Sequence, residues 1–155
     1  MPMIQSEGHV WPAFAALAKS VTRRNWQPST AAHYVKGYQF DAWSTAPFAG
    51  GVKIGEAVCT CNAYQQPLRE TPDDHYQREG FAWLHDHPLA IPKAARKEIW
   101  AQGKCSWDAF DRWRWSGGTV WVCEFEITLI TDIALTMLAD ILQETIPPAE
   151  PGKLF

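Results

Sequence analysis

Nine consecutive residues, Thr119-Val120-Trp121-Val122-Cys123-Glu124-Phe125-Glu126-Ile127, alternate with a period of two. Trp121, Cys123, Phe125 and Ile127 fall on one face; Glu124 and Glu126 fall on the other. This is the pattern of a strand with one buried side. Gly117-Gly118 sets it off from what precedes. A strand needs partners for its backbone N–H and C=O groups. The chain must therefore build a sheet, and other extended segments must supply its remaining strands.

Residues 53–61 alternate well enough to be one of them. Residues 19–24, with Val21 and Thr22 at their centre, read as a strand or its edge. Helices are expected between these segments. Residues 11–18 form a short one, with Pro12 in its first turn and Phe14, Leu17 and Ala18 on one face. Thr71-Pro72-Asp73-Asp74 reads as a helix start running into Arg78-Glu79, where Gly80 weakens or ends it. A further helix is expected over residues 93–102, with Gly103 just past its end. Ser106 caps another over residues 107–113. Residues 132–144 form the last, with Ile133, Met137, Leu138 and Ile141 inward. Residues 44–51, rich in Ser, Pro, Ala and Gly, form a loop. Strands and short helices mixed in this order imply an α+β fold, a small curved sheet or barrel with helices in its connections. Residues 1–145 make one domain. Pro147-Pro148 ends regular structure, and residues 146–155 form a flexible tail.

At 155 residues, 46% hydrophobic, the chain is long enough for a real core. No apolar run approaches the ~20 residues that span a bilayer. No basic and apolar leader opens the chain, which points to the cytoplasm and away from membranes. Cys59, Cys61, Cys105 and Cys123 are then expected as free thiols. Cys59 and Cys61, two apart in a strand, would share a face. Their spacing matches no zinc motif, so no metal and no cofactor is expected.

Charge is unevenly placed. From Glu124 onward there are six acids and one base, a net of −5 in a chain of net −3, leaving residues 1–123 at +2. A protein that follows a long phosphate backbone would be more basic. A short single-stranded or single-nucleotide ligand fits better.

Against that balance, Lys19-Ser20-Val21-Thr22-Arg23-Arg24 puts three cations in six residues. Guanidinium forks suit phosphates and base edges, though either arginine could equally pair with a carboxylate. Lys19, Thr22 and Glu79 in one pocket would have a chemical logic. A desolvated lysine serves as base, the threonine hydroxyl attacks a carbonyl, and the carboxylate orients the lysine or carries a proton. On a straight strand Lys19 and Thr22 point to opposite faces, so only a bend or turn unites them. Nine tryptophans are a heavy load. Trp107, Trp113, Trp115 and Trp121 lie beside Arg112 and Arg114, an interleaving used for base stacking. Periodicity assigns Trp107 and Trp121 to the core instead. Trp26 and Trp43, flanked by polar residues, are the candidates for a stacking wall. His33, His75, His85 and His87 form no triad by spacing, and His85 and His87 read as loop residues.

Taken in order, residues 19–24, then Arg78-Glu79-Gly80-Phe81, then Val120-Trp121-Val122-Cys123-Glu124-Phe125 resemble an ASCH domain of the PUA-like superfamily. Lys36-Gly37 and the glycines from Gly51 to Gly55 fit the family's turn after its second element. The resemblance covers residues 15–128. It implies a small, partly open β-barrel decorated by helices, with a cleft beside it. It also implies recognition of RNA or a modified nucleoside, for which Lys19, Arg23, Arg24, Trp26 and Trp43, singled out above from the residues themselves, are the candidate binders. One branch is similar to N4-acetylcytidine amidohydrolases, whose lysine, threonine and glutamate map onto Lys19, Thr22 and Glu79. Where the family often has a glycine two residues before the lysine, this chain has Leu17. RNA cleavage, with the same cations stabilising a pentacovalent phosphate, is a third reading.

Overall fold

The computed structural model describes residues 4–45, 47–91 and 105–144. The strands are β1 (Ile4–Ser6), β2 (Val21–Arg24), β3 (Gln39–Trp43), β4 (Lys53–Cys59), β5 (Tyr64–Pro67) and β6 (Thr119–Ile130). The helices are α1 (Trp11–Ala15), α2 (Pro28–Ala31), α3 (His75–Arg78), α4 (Phe81–Asp86), α5 (Trp107–Arg114) and α6 (Asp132–Glu144). The fold is α+β, a mixed sheet curled into a half-barrel with helices in its connections. The order runs β1-β3-β4-β6-β2, with β5 also on β6. β1 and β3 are parallel; the other pairs are antiparallel.

β6 organises the sheet. Its C-terminal half pairs with β4, and its N-terminal half pairs with both β2 and β5. Val122 stands opposite Arg23 and opposite Tyr64, so β2 and β5 flank β6 on its two sides. Cys123, Phe125 and Ile127 face the main core as the alternation predicts, but Val122 is fully buried on the other face, Trp121 is only half-buried outside the core, and the strand continues to Ile130. Gly55, opposite Ile130, is required: a Cβ there would run into the Leu129 carbonyl and lie 2.9 Å from the Phe14 ring. The curl brings the two edge strands together, since Arg24 Nη2 of β2 donates to the Ser6 carbonyl of β1 at 2.9 Å.

The concave side holds the main core. Phe14, Tyr34, Phe40, Ile54 and Phe125 meet Ala134 and Leu138 of α6 there. Phe40 and Phe125 make an edge-to-face pair 5.6 Å apart. A second core joins α3, α4 and α5 through Tyr76, Phe81, Leu84 and Phe110. All four cysteines are free, and the Cys59 and Cys123 sulfurs lie 3.9 Å apart in the main core. No helix among the described residues is long and apolar enough to cross a membrane.

Several expectations need correction. The first helix stops at Ala15, because the chain turns at Leu17 with a left-handed φ of +60°. Thr71 does not cap a helix. α3 begins only at His75, and Arg114 takes both the Thr71 carbonyl and the Asp73 carboxylate that would have served the helix start. Cys61 lies beyond the end of β4, next to Glu124, and shares no strand face with Cys59. Ile133 is 50% exposed, and the smaller Ala134 takes its inward place. Trp107 is 41% exposed, although it still meets Tyr76 edge-on. Ser106 does cap α5, its Oγ accepting from the Ala109 amide at 3.1 Å. The expected helix over residues 93–102 and the tail over residues 146–155 lie outside the described residues.

Candidate functional site

Lys19 precedes β2 rather than belonging to it, so strand alternation does not govern where it points. The turn at Leu17 carries Lys19 under the corner between α3 and α4. There its Nζ donates to the Glu79 carbonyl at 3.1 Å. Gly80 makes that corner possible. Its φ is +88°, and a Cβ on it would sit 2.6 Å from the Ala13 methyl and 3.7 Å from Lys19 Cβ.

Within β2, Thr22 and Arg24 share a face. Arg24 Nε donates to Thr22 Oγ1 at 3.1 Å. The same guanidinium lies 3.9 Å from Glu7 Oε1, and Lys19 Nζ lies 3.9 Å from Glu7 Oε2. Glu7 is thus the carboxylate between the two cations, held by Gln5 Nε2 at 2.7 Å. Lys19, Thr22, Glu7 and Glu79 are all buried, while the Arg24 side chain is 30% exposed.

Arg23 points to the alternate face. Its Nη2 donates to Gln66 Oε1 at 3.0 Å and to His75 Nδ1 at 2.7 Å, and its Nη1 lies 3.9 Å from Glu79 Oε2. Glu79 therefore divides its groups, the carbonyl toward Lys19 and the carboxylate toward Arg23. Burial lowers the Arg23 pKa, while Glu79 opposes that shift. Arg23 Nε and Nη1 are buried with no hydrogen-bond acceptor.

Behind Arg23, His75 sits between two guanidiniums, with Arg78 Nη1 3.2 Å from its Nε2. Burial, then Arg23 and Arg78, lowers its pKa to about 4, so the ring is neutral near pH 7. Arg78 continues to Ser20 Oγ at 2.9 Å and to Glu124 Oε1 at 2.8 Å. Burial raises the Glu124 pKa, but hydrogen bonds from Arg78 and from Tyr64 outweigh it and hold the carboxyl below its usual range. Burial and Glu124 push Tyr64 up to about 12.

A cleft of about 240 Å³ opens beside the end of β2. Residues 23–25 and 117–120 line it, together with Leu68 and Trp113. Trp26 is not on its wall. It stacks on Tyr34 at 4.3 Å and packs on the main core. Trp43 ends β3 half-buried, with its Nε1 buried and unpaired. The indole that lines the cleft is Trp113. Among the described residues, no group of three His, Cys, Asp or Glu is placed to hold a metal ion.

Glu7, Gln66 and His75 gave no positional signal in the sequence. Glu7 and Gln66 arrive by strand pairing, β1 on β3 and β5 on β6. His75 is fixed by the helix that also carries Arg78.

No family model matches the chain, and no curated protein matches it. Among solved structures it is similar to the crystal structure of protein EF3133 from Enterococcus faecalis V583, a DUF984 protein. The TM-score is 0.48 at 10% identity, over 85% of this chain and 83% of that one. A similarity this distant assigns neither residues nor activity.

Proposed function

We propose that the cleft beside β2 binds single-stranded RNA or a modified nucleoside. The observation that carries this reading is the cleft wall. Arg24, whose side chain is 30% exposed, and Trp113 both line the cleft, which offers a cationic fork and a ring to one small polar aromatic ligand. The resemblance of residues 19–24, 78–81 and 120–125 to the ASCH pattern points the same way.

The test is an affinity titration with short RNA and with free nucleosides at two salt concentrations. Binding should weaken as salt rises. Arg24→Ala should weaken it by about 1–3 kcal/mol, with the fold checked by thermal melting. RNA affinity unchanged in Arg24→Ala at low salt would defeat the proposal.

A second reading is an amidohydrolase acting on N4-acetylcytidine. It is favoured by one contact, the Arg24 donor on Thr22 Oγ1. A cationic donor on a hydroxyl oxygen stabilises the alkoxide form of a nucleophile. Thr22 would attack the acetyl carbonyl as Lys19 takes its proton, the amide C–N bond would break with that proton passing to cytosine N4, water would then release acetate from the threonine ester, and Glu79 would hold Lys19 through its carbonyl. Incubation with the nucleoside and chromatography should reveal cytidine, and Lys19→Ala should abolish it. Full turnover in Lys19→Ala would exclude this chemistry.

A further inference from the structure

Glu7 is a carboxylate wholly shielded from solvent, its side chain 0% exposed. A buried charge is tolerated only beside opposite charge or hydrogen-bond donors. Gln5 Nε2 donates to its Oε1 at 2.7 Å. Its Oε2 has no hydrogen-bond partner and lies 3.9 Å from Lys19 Nζ. Arg24 Nη2 lies 3.9 Å from Oε1, while Arg24 Nε donates to Thr22 Oγ1. Glu7 therefore joins Lys19 to Thr22 by way of Arg24.

Glu79 stands differently. Its carboxylate lies 3.9 Å from Arg23 Nη1, on the alternate face of β2. What it gives Lys19 is its backbone carbonyl, and any residue at position 79 has one. The carboxylate with a free oxygen near Lys19 is the one at position 7. When Thr22 Oγ1 bonds to the acetyl carbon, its proton passes to Lys19, which becomes an ammonium. The Lys19 side chain is only 3% exposed, so a nearby carboxylate counts for more there than it would in water. The proton then leaves on cytosine N4, and Lys19 returns to the amine. Arg24 keeps its own charge throughout, so Glu7 has a counter-ion even while Lys19 is neutral.

We propose that Glu7, and not the Glu79 carboxylate, is the acidic positioning residue of the Lys19–Thr22 pair. It ties the lysine to the threonine side of the site and supplies the counter-charge for the ammonium. Glu7 acts through Lys19 and Arg24 rather than on the substrate. This rests on the amidohydrolase reading above.

The test is steady-state kinetics on N4-acetylcytidine with wild type, Glu7→Gln, Glu7→Asp and Glu79→Gln, the fold being followed by thermal melting. Glu7→Gln should lower kcat by about a hundredfold, the loss that misplacing a reacting group causes, with KM little changed. Glu79→Gln keeps the carbonyl and should lose less. Glu7→Asp should retain more turnover than Glu7→Gln, although glutamine is the closer match in shape, because the charge carries the effect. If wild type releases cytidine and Glu7→Gln matches its kcat, the assignment of Glu7 fails and the amidohydrolase reading stands. The same holds if Glu79→Gln loses as much as Glu7→Gln. A lower melting temperature with kcat unchanged would make Glu7 a structural ion partner only, and would also overturn the assignment. Should Glu7→Gln fail to fold, Glu79→Gln decides alone: the full loss there overturns the assignment, and a lesser one upholds it. If wild type releases no cytidine, the amidohydrolase reading fails and the role of Glu7 falls with it.

Discussion

His75 lies between Arg23 and Arg78, and its neutral ring accepts from only one of these guanidiniums while its other nitrogen carries the N–H. Burial, and then the two neighbouring cations, favour the neutral ring, so its pKa falls to about 4 from 6.5. Above pH 6.5 the ring is neutral in both folded and unfolded chains, and its contribution to stability is fully present. As pH falls below 6.5 the unfolded chain takes up a proton that the folded one refuses. Stability drops by about 1.4 kcal/mol per pH unit, to a loss of about 3 kcal/mol near pH 4. Urea melts at pH 7 and pH 4.5 should show this loss, and His75→Gln should flatten that slope. Nothing in the residue pattern announced this histidine, because its role depends on two arginines 52 and 3 positions away. Lys19, Thr22 and the arginines were visible as a dense cationic motif. Their partner Glu7 was not, since a lone glutamate near the start of a chain has no pattern of its own.

Elements with strong local signals were read well, and those decided by distant partners were not. β6 and α6 carry long periodic patterns, and both occur where periodicity put them. Ser106 has the chemistry of a cap and nothing competing for it. The Thr71 start failed: its Oγ1 is buried with no hydrogen-bond partner, and its carbonyl accepts from Arg114, 43 residues away. The connection between α1 and β2 turns on Leu17, an exposed leucine at φ +60°. That region is costly for residues with a Cβ, by about 1–2 kcal/mol, and free of that cost for glycine. Glycine's larger unfolded-state entropy offsets part of the gain. Leu17→Gly should therefore stabilise the protein by up to about 1 kcal/mol, raising Tm by about 2–4 °C for a chain of this size. A lower Tm in a calorimetric scan would show that the leucine packs on something the backbone argument ignores.

At the scale of the whole molecule, the cluster of Glu7, Lys19, Arg24 and Glu79 forms where the curl of the sheet brings its edges together. Its residues come from β1, β2 and the corner between α3 and α4, and no local stretch of sequence contains them all. A mixed sheet with helical connections could be read from the order of its segments. The closure could not, because it depends on Arg24 of one edge strand reaching the Ser6 carbonyl of the other. β6 has a further consequence. β2, β4 and β5 all hydrogen-bond to this one strand, which begins only at Thr119. A ribosome making the chain from its N-terminus delivers three strands well before their common partner. Until residues 119–130 have emerged, those edges stay open to solvent and to chaperones. The nascent protein must wait for its last strand before the cleft can exist.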